Sequence, residues 1–180
     1  MSHDASDAST LFAALEKVRL FLCDVDGVLT DGTVSISHGD EAKSFHIQDG
    51  LGLRLLQQSG IRVGWVSNRP SPATSRRARE LKVDYLHQEK GSKVAAVEGM
   101  LAQSGADWSE VCYIGDDVVD LAVLRRVGLP VVVANAIDEA KSLARHVTRR
   151  AGGEGAVREV AELVLKAQNK WARWIEEYSA

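Results

Sequence analysis

The stretch VRLFLCDVDG, Val18 to Gly27, decides the fold. Its first six residues form a mostly apolar run, which stops abruptly at Asp24, Asp26 and Gly27. A short apolar run bounded by polar turn residues is the mark of a strand buried on both faces, and such strands belong to parallel sheets. The pattern recurs downstream. IRVGWV (Ile61 to Val66) runs into SNRP, EVCYIG (Glu110 to Gly115) runs into two aspartates, and PVVVAN (Pro130 to Asn135) is a further buried strand.

Helical segments separate these strands. Asp49 is placed to cap a helix beginning in GLGLRLLQQ and stopping at Gly60. Another helix covers Arg76 to Leu81, before a brief extended piece, VDYLH. Val94, Val97 and Leu101 recur at helical spacing, VVDLAVLRRVG reads as a helix closed by Gly128, and one more begins near Asp138. A long helix is expected from Ala156, with Val157, Val160, Val164, Ala167, Trp171, Trp174 and Tyr178 on one stripe. The three aromatics on that stripe either cover their own subunit or anchor a neighbouring one. The segment TVSISHGDEAKSFHI reads as a hairpin over 33–47, with a turn at His38-Gly39-Asp40 and Val34, Ile36, Phe45 and Ile47 on an apolar face. Alternating strands and helices give an α/β fold with a central parallel sheet flanked by helices. The expected organisation is a disordered tail over 1–10 and one domain over 11–180.

Bulk properties agree with a single globular domain: 180 residues, 45% hydrophobic and 26% charged. A net charge of −3 with interspersed signs lacks the basic footprint of a nucleic-acid binder. No apolar run approaches the ~20 residues that cross a bilayer, and the polar start MSHDASDAST is not a secretory signal, so the expectation is a cytoplasmic protein. Cys23 and Cys112 sit inside strand runs and read as small core side chains.

The polar clusters DVDG, SNR and GDD each follow a strand, and ligands of such sheets bind beyond the carboxyl ends of the strands. Gathering Asp24, Asp26, Asp116, Asp117 and Asp120 at one edge is costly unless a cation offsets the repulsion. Carboxylates and carbonyls without a His or Cys cluster suit Mg²⁺. Beside such a metal a carboxylate can attack phosphorus, while Ser67 and Lys93 offer a hydroxyl and a fixed cation to phosphoryl oxygens, and a second aspartate can move the proton. Each cluster alone has a plainer reading, a turn or a helix cap. Their order carries the signal.

That order resembles the haloacid dehalogenase (HAD) superfamily, whose four motifs match Asp24-Val25-Asp26-Gly27-Val28-Leu29-Thr30, Ser67, Lys93 and Gly115-Asp116-Asp117-Val118-Val119-Asp120. The resemblance implies a Rossmann-like core with Asp24 as nucleophile and Asp26 as general acid/base. Ser67 and Lys93 would hold the phosphoryl oxygens. Mg²⁺ would be bound by Asp24, the Asp26 carbonyl and Asp116, with Asp117 and Asp120 in support. There is no room for a cap domain. VLTDG, the hairpin, FHIQDGLGLRLL and GGEGAVREV are similar to the 3-deoxy-D-manno-octulosonate 8-phosphate (KDO 8-phosphate) phosphatases. This implies a capless homotetramer joined through its hairpins, a phosphorylated keto sugar acid as substrate, a place in lipopolysaccharide biosynthesis, and the GGEG loop near a neighbour's site. Asp49, Gly50, Arg54, Asn68 and Arg69 are the candidate substrate-binding residues. The chain departs from that group's pattern at Gln48 and at Ser67-Asn68-Arg69. The alternatives are a phosphatase for a related nonulosonate 9-phosphate, a phosphate-transferring mutase, and a non-catalytic module partnering a nucleotidyltransferase.

Overall fold

The computed structural model describes residues 2–37 and 40–180, with side chains over 9–36 and 41–180. Six strands form one sheet: β1 (Leu20–Cys23), β4 (Arg62–Ser67), β5 (Tyr85–Gln88), β6 (Val111–Gly115), β7 (Leu129–Val132) and β8 (His146–Val147). Their order is β5-β4-β1-β6-β7-β8 and every pairing is parallel. β1 sits between β4 and β6, with Cys23 opposite both Trp65 and Ile114. β1 and β6 are buried along their whole length, which is why their sequences are continuously apolar rather than alternating.

Helices α1 (Ser2–Lys17), α2 (Ile47–Gln58), α3 (Pro72–Glu80), α4 (Lys93–Ser104), α5 (Leu121–Leu124), α6 (Asp138–Lys141), α7 (Ala156–Ala167) and α8 (Trp171–Ser179) complete the chain. Leu53, Leu55 and Leu56 of α2 and Val157, Val160, Ala161 and Val164 of α7 are buried, and these two helices pack on one another. Cys23 and Cys112 are free and buried, and burial holds both thiols well above their ordinary pKa.

Helix α1 runs from Ser2 to Lys17, and its second half docks through Ala14 and Leu15. Several expectations need correction. The hairpin is shorter than 33–47: β2 (Ser35–Ser37) pairs with β3 (Asp40–Ala42), while Phe45 stacks on Trp65 at 6.0 Å and Ile47 opens α2. His38 and Gly39 of its expected turn lie outside the described residues. The helix expected over 118–128 contracts to a 3₁₀ turn at Val118–Asp120 followed by α5.

The long C-terminal helix is two helices. Asn169 takes a left-handed conformation, φ +56, and the amides of Asn169 and Lys170 return to the carbonyls of Lys166 and Leu165. That is a Schellman cap, with Asn in the position usually held by Gly. The reversal lays Trp174 on its own subunit, where its Nε1 donates to Ser59 Oγ at 3.0 Å. Trp171 lies under the cations of Arg158 and Lys166. Of the three aromatics, only Tyr178 stays largely exposed, at 67%.

Candidate active site

The carboxyl ends of β1, β4 and β6 bring the predicted clusters together. Asp24 follows β1 and its amide donates to Ile114 O of β6, 3.0 Å. Its carboxylate is nearly buried, accepting from Val25 N at 2.6 Å through Oδ1 and meeting Lys93 Nζ at 2.7 Å through Oδ2. Lys93 is the first residue of α4, after the Ser92 cap, and is itself buried. The same ammonium donates to Asp120 Oδ1 at 2.8 Å. Burial alone would drive the Lys93 pKa down, but Asp24 and Asp120 outweigh it and carry the value above normal. Lys93 is therefore a permanent cation shared by two acids.

Asp120 is fully committed. Besides Lys93 it accepts from Tyr113 OH (2.6 Å) and from the amides of Asp116 (2.9 Å) and Asp117 (3.3 Å). Asp117 points outward and caps the 3₁₀ turn by accepting from Val118 N at 2.7 Å. Asp116 is the opposite case: its Oδ1 is buried with no hydrogen-bond partner among the described residues.

Ligand oxygens of Asp24, Asp116 and Asp120 converge within 4.8 Å of one another. Because Asp120 spends its lone pairs on Lys93, Tyr113 and two amides, the donors open to a cation are Asp24 and Asp116. The unpartnered oxygen, the oxygen-only donor set and the backbone beside it fit a small hard cation such as Mg²⁺. Gly27 supports the arrangement with φ +92, and a Cβ there would collide with the Asp116 carboxylate. Without a cation, burial first, then the neighbouring acids, raises Asp116 to about 7. Burial outweighs Lys93 and raises Asp24 to about 6.

Ser67 ends β4 and is buried, its Oγ accepting from Arg69 N at 3.0 Å. Asn68 Oδ1 and Arg69 Nη1 are buried without partners among the described residues. A second Arg69 nitrogen, Nη2, is held by Glu41. These three residues line the loop beside the DVDG turn, and Asn68 and Arg69 keep polar atoms unused by the fold.

Asp49, Gly50 and Arg54 do not join this cluster. Asp49 is buried between α2 and α7, where its Oδ1 accepts from Arg158 N at 2.7 Å. It caps α7, whose own N-cap is Gly155 and has no side chain, rather than capping α2. Gly50 leaves room for Arg77 of α3. Arg54 bonds Gln57 and Leu81 O, and Gln57 in turn reaches Asp84 just before β5, so this network lies toward the amino ends of the strands.

Three features were not legible in the sequence. The Lys43 side chain, past β3, is buried, and its Nζ sits 2.6 Å from Asp26 Oδ1. Tyr113 braces Asp120 from within β6. The GGEG loop packs on the DVDG loop of its own chain: Gly153 N donates to Val28 O at 3.0 Å, Gly152 N to Asn135 Oδ1 at 2.9 Å, and a Cβ on Gly152 would overlap Gly27 O. These glycines permit backbone to lie against backbone, which differs from a flexible connector.

Known proteins of similar sequence and fold show the family. Residues 85–160 match the haloacid dehalogenase-like hydrolase family. The chain is 42% identical over 154 residues to 3-deoxy-D-manno-octulosonate 8-phosphate phosphatase KdsC of Yersinia pestis, covering 85% of this chain and 82% of that protein. It is 38% identical over 164 residues to the Escherichia coli K12 protein of the same description, covering 91% and 87%. The crystal structure of 3-deoxy-D-manno-octulosonate 8-phosphate phosphatase from Moraxella catarrhalis in complex with magnesium ion, phosphate ion and KDO superposes with a TM-score of 0.91. There the identity is 38%, with coverage of 93% of this chain and 97% of that one.

Proposed function

The chain belongs to the KDO 8-phosphate phosphatase family of haloacid dehalogenase-like hydrolases, and from that premise we propose how its residues divide the reaction. The enzyme is a Mg²⁺-dependent phosphatase that cleaves KDO 8-phosphate to KDO and phosphate. The observation that carries the residue assignment is the buried Asp24–Lys93–Asp120 arrangement beside the unpartnered Asp116 oxygen.

In this reading the Asp24 carboxylate forms a bond to phosphorus as the bond from phosphorus to the sugar oxygen breaks. Asp26 gives its proton to the departing alkoxide, then takes one from the water that attacks phosphorus and releases Asp24. Ser67, Lys93 and the neighbouring amides hold the phosphoryl oxygens. Asp24, the Asp26 carbonyl and Asp116 would hold the cation. When bound, Mg²⁺ supplies the positive charge that lets these acids and a phosphate share one edge. Asn68 and Arg69, with polar atoms to spare, are the candidates for the sugar acid. A panel of phosphorylated sugar acids and neutral sugar phosphates, assayed with and without chelator, tests the assignment. The expected result is highest kcat/KM on KDO 8-phosphate, abolished by chelation. Preference for a nonulosonate 9-phosphate or for neutral sugars would overturn the substrate.

We further propose a cytoplasmic homotetramer assembled through the hairpin. Among the described residues no helix is long and apolar enough to cross a membrane. Ile36 and Ile47 are 75% and 74% exposed, and Val34 and Leu51 are also exposed, an apolar set around an element with little of its own subunit to cover it. The double substitution Val34→Asp with Ile36→Asp is expected to give folded monomers with impaired turnover. Light scattering that still reports the wild-type assembly would remove the hairpin from the interface.

A further inference from the structure

We propose that Lys43 is a positioning residue that holds the Asp26 carboxylate in place for leaving-group protonation and stabilises the charge that appears there. This rests on the reading of Asp26 as the acid/base. The Lys43 side chain is 0% exposed. A buried ammonium is retained only where it is closely paired. Its Nζ lies 2.6 Å from Asp26 Oδ1 and 3.2 Å from Thr74 Oγ1, with Glu41 Oε1 further away at 3.8 Å. The two aspartates of the DVDG loop thus have separate lysines. Lys93 serves Asp24, together with Asp120, and Lys43 serves Asp26. The division keeps Asp26 out of the crowded Asp24–Asp116–Asp120 cluster and fixes a short side chain that would otherwise rotate.

Anchoring the hairpin does not by itself account for this cation. Glu41 already ties β3 to the loop after β4, through Arg69 and through Ser71 Oγ at 2.6 Å. The proton balance gives Lys43 a task. As the bond from phosphorus to the sugar oxygen breaks, the Asp26 proton passes to the alkoxide and leaves a carboxylate facing Nζ. That carboxylate then accepts a proton from the attacking water. A fixed positive charge where negative charge develops favours the first transfer.

The test compares a sugar phosphate, whose alkoxide needs the proton, with 4-nitrophenyl phosphate, whose leaving group departs without one. Lys43→Met is expected to lower kcat on the sugar phosphate by roughly 10–100-fold, a part of the ~10²–10⁴ that proton transfer supplies. KM should stay within a few-fold, and the aryl substrate should lose far less. A parallel loss on both substrates, or none on either, would overturn the proposal. Asp26→Asn is run beside it. If that variant fails to separate the two substrates, the acid/base reading falls. If it separates them and Lys43→Met does not, the role of Lys43 falls alone. Should Lys43→Met not fold, Thr74→Val keeps the lysine and removes its second anchor. A smaller split in the same direction supports the proposal, and a parallel loss or no loss overturns it.

Discussion

Asp24→Asn is expected to abolish turnover, by roughly 10³-fold or more, while the protein stays folded. The amide preserves the shape of the side chain and can still accept from Val25 N, but it cannot form the bond to phosphorus. Stability should not fall in step with activity. Burial holds the Asp24 carboxyl at about 6, well above its ordinary value, despite the ammonium of Lys93. A group whose folded pKa is raised contributes stability below its unfolded pKa and loses it as pH rises through the folded value. At neutral pH the metal-free wild type therefore carries an ionised acid that its surroundings disfavour. Asn removes that burden and leaves Lys93 paired with Asp120 at 2.8 Å. A chelated thermal melt at neutral pH should place the variant level with wild type or above it, and a steady-state assay should find no turnover. Residual activity above about a hundredth would remove Asp24 as nucleophile, since a single catalytic group is worth ~10² or more.

The legible part of this molecule is the part that local physics determines. β1, β4 and β6 are short apolar runs ending in polar turns, and that boundary alone brings Asp24, Ser67 and Asp116 to one sheet edge. β8 is two residues, His146–Val147, too short to carry a period. Lys43 lies in the polar tail of a hairpin, where the plain expectation is a solvated charge, and its burial comes from α3 and the DVDG loop closing over it. Asp49 has the spacing of a cap for α2, yet it caps α7, because no local pattern records which helix end a tertiary fold will present to a carboxylate. Asn169 differs in carrying a local signal of its own. An Asn after an amphipathic run can take the left-handed stop conformation, but the apolar stripe continuing through Trp171 and Trp174 masks it. GGEG was readable as glycine-rich but not as the surface on which the DVDG loop rests.

Asp116→Ala should raise the Mg²⁺ concentration needed for half-maximal activity by roughly 10–100-fold or more, since even residues behind a metal ligand contribute that much to affinity. It should also change how that requirement depends on pH. Burial and then the repulsion of Asp24 and Asp120 hold Asp116 at about 7 without metal, and Asp24 lies at about 6. Both acids must be ionised to hold a cation, so protons and Mg²⁺ compete between about pH 6 and 7, and wild-type affinity falls as pH drops through that window. The stability sign runs the other way for the metal-free protein, whose raised carboxyls favour folding at low pH and oppose it as pH rises through 6 and 7. The thermal shift produced by Mg²⁺ should therefore be larger at pH 8 than at pH 6. In Asp116→Ala the upper part of this dependence should disappear, because one of the two coupled acids is gone. Asp120 cannot substitute, because Lys93, Tyr113 and two backbone amides already occupy its oxygens. A metal titration and a pH-dependent thermal shift unchanged from wild type would remove Asp116 from the ligand set.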